Sequence, residues 1–286
     1  MTAPDLEITS PANPKVKDVV RLRQRSHRDD EGLMIAEGYR EIKRALDHGY
    51  APVRLFYCEE LFLKGVNEPT LIERARGRGA EIVSCSAPVF LKMAYRERPE
   101  GLLAVGPQPR TTLADLKLPE HALVIVAETI EKPGNLGTIL RSADAAGAAA
   151  VIVCDKCTDV YNPNVVRAST GVIFSMPVVE CATSECLAFL RERRFKILAA
   201  TPHADALHFE VDLTGDVALV VGNEQFGLTD KWMNEAELRV RIPMLGMADS
   251  LNVSAATTIL LFEAVRQRIA AGIATPPPPL PEHHGA

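Results

Sequence analysis

Residues 123–154, LVIVAETIEKPGNLGTILRSADAAGAAAVIVC, carry the pattern on which the fold turns. Leu123–Ala127 is an unbroken apolar run with no polar alternation, the mark of a strand covered on both faces. Leu136–Ala146 then switches to helical spacing, with Leu136, Ile139, Leu140 and Ala143 on one side, and Ala149–Cys154 is a second apolar run. Strand, helix and strand in this order predict a βαβ crossover. The same alternation continues with strands predicted at 176–180, 196–200, 217–221 and 238–242, and helices near 183–193, 229–235 and 252–271. The reading is an α/β fold built on a mainly parallel sheet, spanning 120–272.

Upstream, the units are shorter. Val16, Val19, Val20 and Arg23 keep helical spacing after Pro14 and predict a helix with one apolar stripe and one basic face. Strand patterns at Leu33–Ala36, Val53–Cys58, Glu81–Ser84 and Leu102–Val105 alternate with helical ones over 39–47, 70–78 and 88–94, which predicts a smaller α/β domain over 1–106. GPQPRTTLADLKLP carries three prolines and no apolar run, so residues 107–119 read as the linker. The last stretch, 273–286, is proline-rich (TPPPPLPEHHGA from Thr275) and reads as extended or disordered.

With 47% hydrophobic and 24% charged residues over 286 positions, disorder and collagen-like repeats are excluded. No apolar run reaches the roughly 18 residues needed to cross a bilayer, and the acidic, proline-bearing start lacks the order of a secretion signal. A cytoplasmic protein with no membrane partner is expected. Six scattered cysteines in a chain of this size fit reduced thiols. Cys154 and Cys157 have C-x-x-C spacing, but their nearest complement, Cys181 and Cys186, has the wrong spacing for a zinc ribbon, so no metal is expected. Asp155 stands where a dinucleotide-binding protein places its ribose acid, yet the G-x-G-x-x-G such a protein requires is missing, which weakens a nicotinamide-dependent oxidoreductase.

The net charge of −5 argues against indiscriminate binding to polyanions. It hides a local basic run: residues 15–28 hold six cations against Asp18 alone. Lys15, Lys17, Arg21, Arg25 and Arg28, with Arg40, Lys43 and Arg44, offer a cationic face for RNA phosphates.

Three strands of the second domain end in glycine-bearing segments: EKPGNLGTILRSADAAGA (131–148), LVVGNEQFGLTD (219–230) and IPMLGMADSLNVSAATTILLFEAVRQR (242–268). Ligands of open parallel sheets sit in the crevice at the carboxyl ends of the strands, so the three segments describe one site. Asn135 precedes the helical pattern and can cap it. Arg141 shares a helix face with Gly137 and Thr138, which leaves room beside the guanidinium for a ribose or phosphate. Spacing alone equally allows Asn135 as a plain cap, Arg141 as a surface charge and Glu224 as a loop brace. Gly222 permits close approach of a flat ring, Thr229 can cap the next helix, and Ser250 and Asn252 precede a final helix whose first turns are apolar nearly all round, as in a buried helix.

In order, spacing and wording these segments resemble the three motifs of the SpoU (TrmH-like) branch of the SPOUT class of RNA ribose 2′-O-methyltransferases, on the strings NLG, three residues, R, then IPM and SLNVS. The first domain resembles that family's small substrate-binding domain, on SPANPKVK and the Glu37-Gly38 pair. Gln225 departs from the glycine common in relatives. The resemblance implies a deep trefoil knot, a homodimer packed through the final helix, and S-adenosylmethionine as cofactor. It implies that backbone groups of Gly222, Ile242 and Leu251 hold the adenine, with Thr201 lining the pocket. Asn135, Arg141, Glu224, Ser250 and Asn252 are then the catalytic centre. Arginine stays protonated, so Arg141 is expected to stabilise charge on the attacking oxygen and grip a phosphate rather than act as a base. The extra N-terminal domain implies ribosomal RNA as substrate ahead of transfer RNA. A protein that keeps the fold and binds RNA without catalysis is the alternative.

Overall fold

The computed structural model describes residues 2–63 and 65–278. The first part of the chain runs β1 (Leu6–Ile8), α1 (Pro14–Arg21), α2 (Arg25–Glu31), β2 (Leu33–Glu37), α3 (Tyr39–Asp47), β3 (Arg54–Tyr57), α4 (Glu68–Gly77), β4 (Glu81–Cys85), α5 (Ala87–Met93) and β5 (Leu102–Pro107). Its strands form a five-stranded sheet in the order β1-β4-β3-β5-β2, in which β5 runs antiparallel to both neighbours. The α1 helix starts where Asn13 accepts the Lys15 amide at 2.9 Å and Pro14 presets the first turn. Its Val16 and Val19 are buried under β1 and β4 with Phe90 of α5.

The second part runs β6 (Leu123–Glu128), α6 (Pro133–Ala145), β7 (Ala150–Cys154), α7 (Pro163–Ala168), β8 (Val178–Cys181), α8 (Thr183–Glu192), β9 (Lys196–Ala200), β10 (Ala206–Leu207), β11 (Val217–Val221), α9 (Asp230–Glu235), β12 (Leu238–Arg241) and α10 (Val253–Ala270). All seven strands pair in parallel, in the order β10-β12-β9-β11-β6-β7-β8. Residues of β6, β7 and β11 alternate between two apolar layers. One lies towards α6, α7 and α10, and the other is closed by α8 and Trp232 of α9. Coverage on both faces is why these strands read as unbroken apolar runs.

Every strand predicted from the sequence is present. The elements the reading lacks are the short β1 and β10, α2 and α7. The helix α2 has no apolar stripe at all, since its one buried side chain is Arg28, and α7 is too short to show a period.

The two sheets share one continuous apolar core, which passes from α3 and β2 to α7 and the turn after it. Tyr50 and Phe174 pack with tilted rings across this junction, centroids 4.6 Å apart, and Gly171 sits where an added Cβ would lie 3.0 Å from the Glu41 backbone. Arg28 is 1% exposed, donates from Nε and Nη2 to Asp159 Oδ2, and donates from Nη1 to Leu22 O. This corrects its expected place on an RNA-facing surface: its guanidinium is consumed inside the junction. Arg44 is half-buried in the same junction against Thr170, and Lys15 is held by Glu81 at 2.8 Å. Lys17, Arg21, Arg25, Arg40 and Lys43 remain exposed.

The stretch expected as a plain linker is ordered. Gln108 is buried and donates to the carbonyls of Arg28 and Leu33, Thr111 bridges to Val179 at the outer edge of β8, and Leu116 enters the core. The Glu37-Gly38 pair also has a structural cause. Gly38 has φ +107°, and a Cβ there would lie 2.6 Å from an Arg96 nitrogen. Glu37 accepts the Tyr95 and Arg96 amides, and burial pushes its carboxyl above the usual range. Of the tail expected to be disordered, 273–278 carry no helix or strand, and 279–286 lie outside the described residues. No helix among the described residues is long and apolar enough to cross a membrane.

Removing one partner of a buried ion pair strands the other charge, at a cost of about 3–5 kcal/mol. Asp159→Ala is expected to lose stability on that scale in urea denaturation, because Arg28 has no water to turn to, whereas Asp29→Ala, which removes an exposed partner of Arg25, is expected to change it by less than about 1 kcal/mol.

Candidate active site

Because all seven strands are parallel, their carboxyl ends lie along one edge of the sheet, and the loops that leave β6, β9, β11 and β12 meet there. The loops after β9, β11 and β12, with the start of α10, line a cavity of about 430 Å³. Val221, Val240 and Leu260 supply apolar wall, and Thr201, Gly222, Glu224, Ile242, Ser250 and Leu251 all line it. All four residues expected at the cofactor, and two expected at the reacting centre, therefore face one space.

Polar side chains tie the loops together. The Asn135 amide donates to Glu224 Oε1, and the Asn252 amide donates to Asn135 Oδ1 at 3.1 Å. Asn252 Oδ1 also accepts the Ser254 amide at 3.0 Å and the Ser254 hydroxyl at 2.6 Å, so one side chain caps α10 and orients Asn135. Residues that lie 89 and 117 positions apart in sequence thus form one chain of contacts at the cavity rim. Ser250, at 3.4 Å from Asp249, stays exposed beside it.

Arg141 is not part of this chain. It is exposed on α6, and among the described residues it makes no hydrogen bond or ion pair. Several local expectations are corrected as well. The α6 helix begins earlier than expected, with Pro133 at its first position, so Asn135 lies inside the first turn and its side chain is free for Glu224 instead of capping. Gly137 does not open space beside Arg141: an added Cβ would lie 2.5 Å from Ala168 Cβ and 2.8 Å from Val165 O, so this glycine lets α7 approach α6. Gly222 is required by its own loop, since a Cβ would lie 2.5 Å from the Gly227 backbone, where the chain folds back on itself through the Asn223–Gly227 bridge. Thr229 makes no side-chain cap; its hydroxyl donates to Glu128 Oε1 at 2.8 Å. The α10 helix is not buried all round, because Ile259, Phe262 and Ile269 face solvent.

Two residues missed in the sequence hold the site in shape. Asn223 accepts the amides of Gln225 and Phe226, and donates to Glu131 at 2.8 Å, which pins the 222–228 loop to the segment after β6. The fully buried Glu128 takes both the amide and the hydroxyl of Thr229. A carboxylate ending an apolar strand, as at Glu128, and an asparagine following glycine, as at Asn223, were the available signals. Asp155 is exposed and accepts the Thr183 amide, a local brace between β7 and α8. The C-x-x-C pair does not converge as a unit: Cys157 is exposed, while Cys154 is buried beside Cys186 and the half-buried Cys181.

Residues 122–262 match the model of the SpoU rRNA Methylase family, and residues 13–104 that of the MRM3-like substrate binding domain. The chain is 34% identical over 265 residues to a 23S rRNA (uridine(2479)-2′-O)-methyltransferase of Streptomyces viridochromogenes, covering 90% of each. A crystal structure of an RNA 2′-O ribose methyltransferase is 42% identical and superposes with a TM-score of 0.81, covering 92% of this chain and 99% of the other. An AdoMet-bound rRNA methyltransferase from Sinorhizobium meliloti superposes with a TM-score of 0.84 at 32% identity, covering 92% of this chain and 98% of the other.

Loss of an asparagine cap costs a helix about 1 kcal/mol. Asn252→Ala is expected to lower stability by that amount in chemical denaturation, and Asn252→Ser, which keeps an acceptor for the Ser254 amide but cannot reach Asn135, to recover most of it.

Proposed function

The chain belongs to the SpoU rRNA methylase family, and from that premise we propose that it transfers a methyl group from S-adenosylmethionine to a ribose 2′-hydroxyl of ribosomal RNA. The observation that carries this reading is the convergence of Thr201, Gly222, Ile242 and Leu251 on one cavity whose rim is the Asn135–Glu224–Asn252 chain. The Streptomyces relative, a 23S rRNA 2′-O-methyltransferase, and the AdoMet-bound rRNA methyltransferase from Sinorhizobium support substrate and cofactor. The cytoplasm, where ribosomal RNA is processed, is the matching compartment.

The cavity suits such a cofactor. Its volume of about 430 Å³ lies in the range of small-molecule sites, and its walls combine apolar side chains with backbone from the 222–228 and 242–251 loops. Ile242 directly follows β12 and Leu251 directly precedes the α10 cap, so N–H and C=O groups rather than side chains read the adenine edge there. Bound there, S-adenosylmethionine supplies a methyl group made electrophilic by its sulfonium. The residues of this chain do the rest by position. Asn135, fixed between Glu224 and Asn252, presents its amide at the rim, where the ribose must enter. From the exposed face of α6, Arg141 grips the adjoining phosphate and stabilises charge on the 2′-oxygen, which would take the methyl carbon from the sulfonium sulfur, releasing the thioether, as its own proton passes to water.

The first domain holds the surrounding RNA. Its match to a substrate-binding domain supports this, with Lys17, Arg21, Arg25, Arg40 and Lys43 as phosphate contacts and Arg28 withdrawn into the junction. The chain then divides as 1–106, 107–119, 120–272 and 273–286, two working domains joined by a packed connector. The final helix, running from the cavity rim back along α6 and β11, suits the family's trefoil knot. The exposed Ile259, Phe262 and Ile269 of α10 suit a homodimer.

Methyl transfer from labelled S-adenosylmethionine is expected to ribosomal RNA and not to transfer RNA, with the label recovered as a 2′-O-methylnucleotide; label on a base would overturn the proposal. In Arg141→Ala the turnover is expected to fall by at least about a hundredfold, the scale of losing one charge-stabilising donor, with cofactor affinity within twofold of wild type. For the dimer, Phe262→Glu is expected to halve the mass found by analytical ultracentrifugation.

A further inference from the structure

Outside the active site, three cysteines that lie far apart in C-x-x-C terms meet on one face of the large sheet. Cys154 ends β7 and Cys181 ends β8, and the two are register partners on adjacent parallel strands, so their side chains leave the sheet on the same side. Cys186, in the second turn of α8, comes down onto them from the covering helix. The three sulfurs all lie within 4.8 Å of one another. Cys154 and Cys186 are fully buried, and Cys181 is half-buried and opens the cluster to solvent on one side.

A buried cysteine usually serves as a small apolar filler. Filling does not require three sulfurs to converge, and a disulfide requires only two. A thiolate-bound ion at about 2.3 Å from each of three sulfurs holds them about 4 Å apart, so the cluster needs to close by less than about 1 Å. The surroundings favour a cation. The carboxylates of Asp155 and Glu185 lie near Cys181, and each also accepts a backbone amide of the loop that carries the cysteines, Thr183 and Ala182 respectively.

We propose that Cys154, Cys181 and Cys186 form a site for one thiophilic d10 metal ion, Zn(II) or Cu(I), with the fourth position open towards solvent beside Cys181. Among the described residues the group of convergent ligand atoms stops at these three, and soft sulfur donors without oxygen or nitrogen select this class of ion. The ion would clip the edge strand β8 to β7 and to α8, and so hold the outer edge onto which Thr111 of the connector pairs. It takes no part in methyl transfer, so the site stands or falls apart from the proposed function.

The test uses the full chain, reduced and freed of metal by a chelator under nitrogen. Titration with Co(II) as a stand-in for Zn(II) is expected to give a sulfur-to-cobalt charge-transfer band that saturates at one equivalent and disappears when Zn(II) is added. A parallel titration with Cu(I) against a chromophoric chelator reads the second ion, and the tighter of the two identifies the occupant. Cys181→Ser is expected to abolish the band and Cys157→Ser to leave it unchanged. Without any substitution, the bound ion is expected to protect Cys181 from a thiol-alkylating reagent while Cys157 is still modified. The proposal is overturned if neither ion binds at one equivalent, if Cys181→Ser binds as the wild type does, or if the ion-treated chain is alkylated at Cys181 as fast as the apo chain. A disulfide within the cluster in place of metal uptake overturns it equally.

Discussion

A sheet whose strands are apolar on both faces has no room for polar chemistry within it. In this protein β6, β7 and β11 are covered on one side by α6, α7 and α10 and on the other by α8 and α9, so reacting groups can gather only where the strands stop. The parallel arrangement puts all the stops on one edge. The buried Glu128 and Asn223 need partners and find them in Thr229 and Glu131, while at the more exposed rim Asn135 links Glu224 to Asn252. The cavity is what remains between loops so tied.

The same logic explains the glycines. Gly137 and Gly222 look like openings for a ligand, yet in each case protein atoms fill the space a Cβ would take. Their contribution to the site is indirect. Close approach of α7 to α6 sets where Asn135 stands, and the fold-back at Gly227 sets where Glu224 stands. The smaller domain is joined to this frame by a shared core and by the buried Arg28–Asp159 pair rather than by a free linker. The first domain is therefore held at a fixed distance from the second.

Much of the fold was legible in the chain because periodicity reports burial directly. Apart from β1 and β10, the strands announce themselves by apolar runs, and helices such as α6 by 3.6-residue spacing. Helices that bury a charge or one turn only, as α2 and α7 do, leave no such trace. The residues expected at the site were chosen by their place after strand ends and by family resemblance. Glu128 and Asn223 escaped because their partners lie across the sheet, where spacing along the chain carries no information. Arg28 was misplaced for a related reason: a basic run marks a charged helix, but which of its members turns inward depends on an aspartate 131 positions away.

The sequence by itself determined the alternation of strands and helices, the parallel class of the large sheet, the three loop segments of the site and the family to which the chain belongs, since each is written in local order and residue type. Only the tertiary structure decided which side chains meet. It joined Asn135 to Glu224 and Asn252, withdrew Arg28 from the surface, left Arg141 free on α6, and gathered Cys154, Cys181 and Cys186 while leaving Cys157 outside. The physical reason is that backbone preferences act between neighbours in sequence, whereas hydrogen bonds, ion pairs and thiol contacts act between neighbours in space, and strand order alone determines which residues those are.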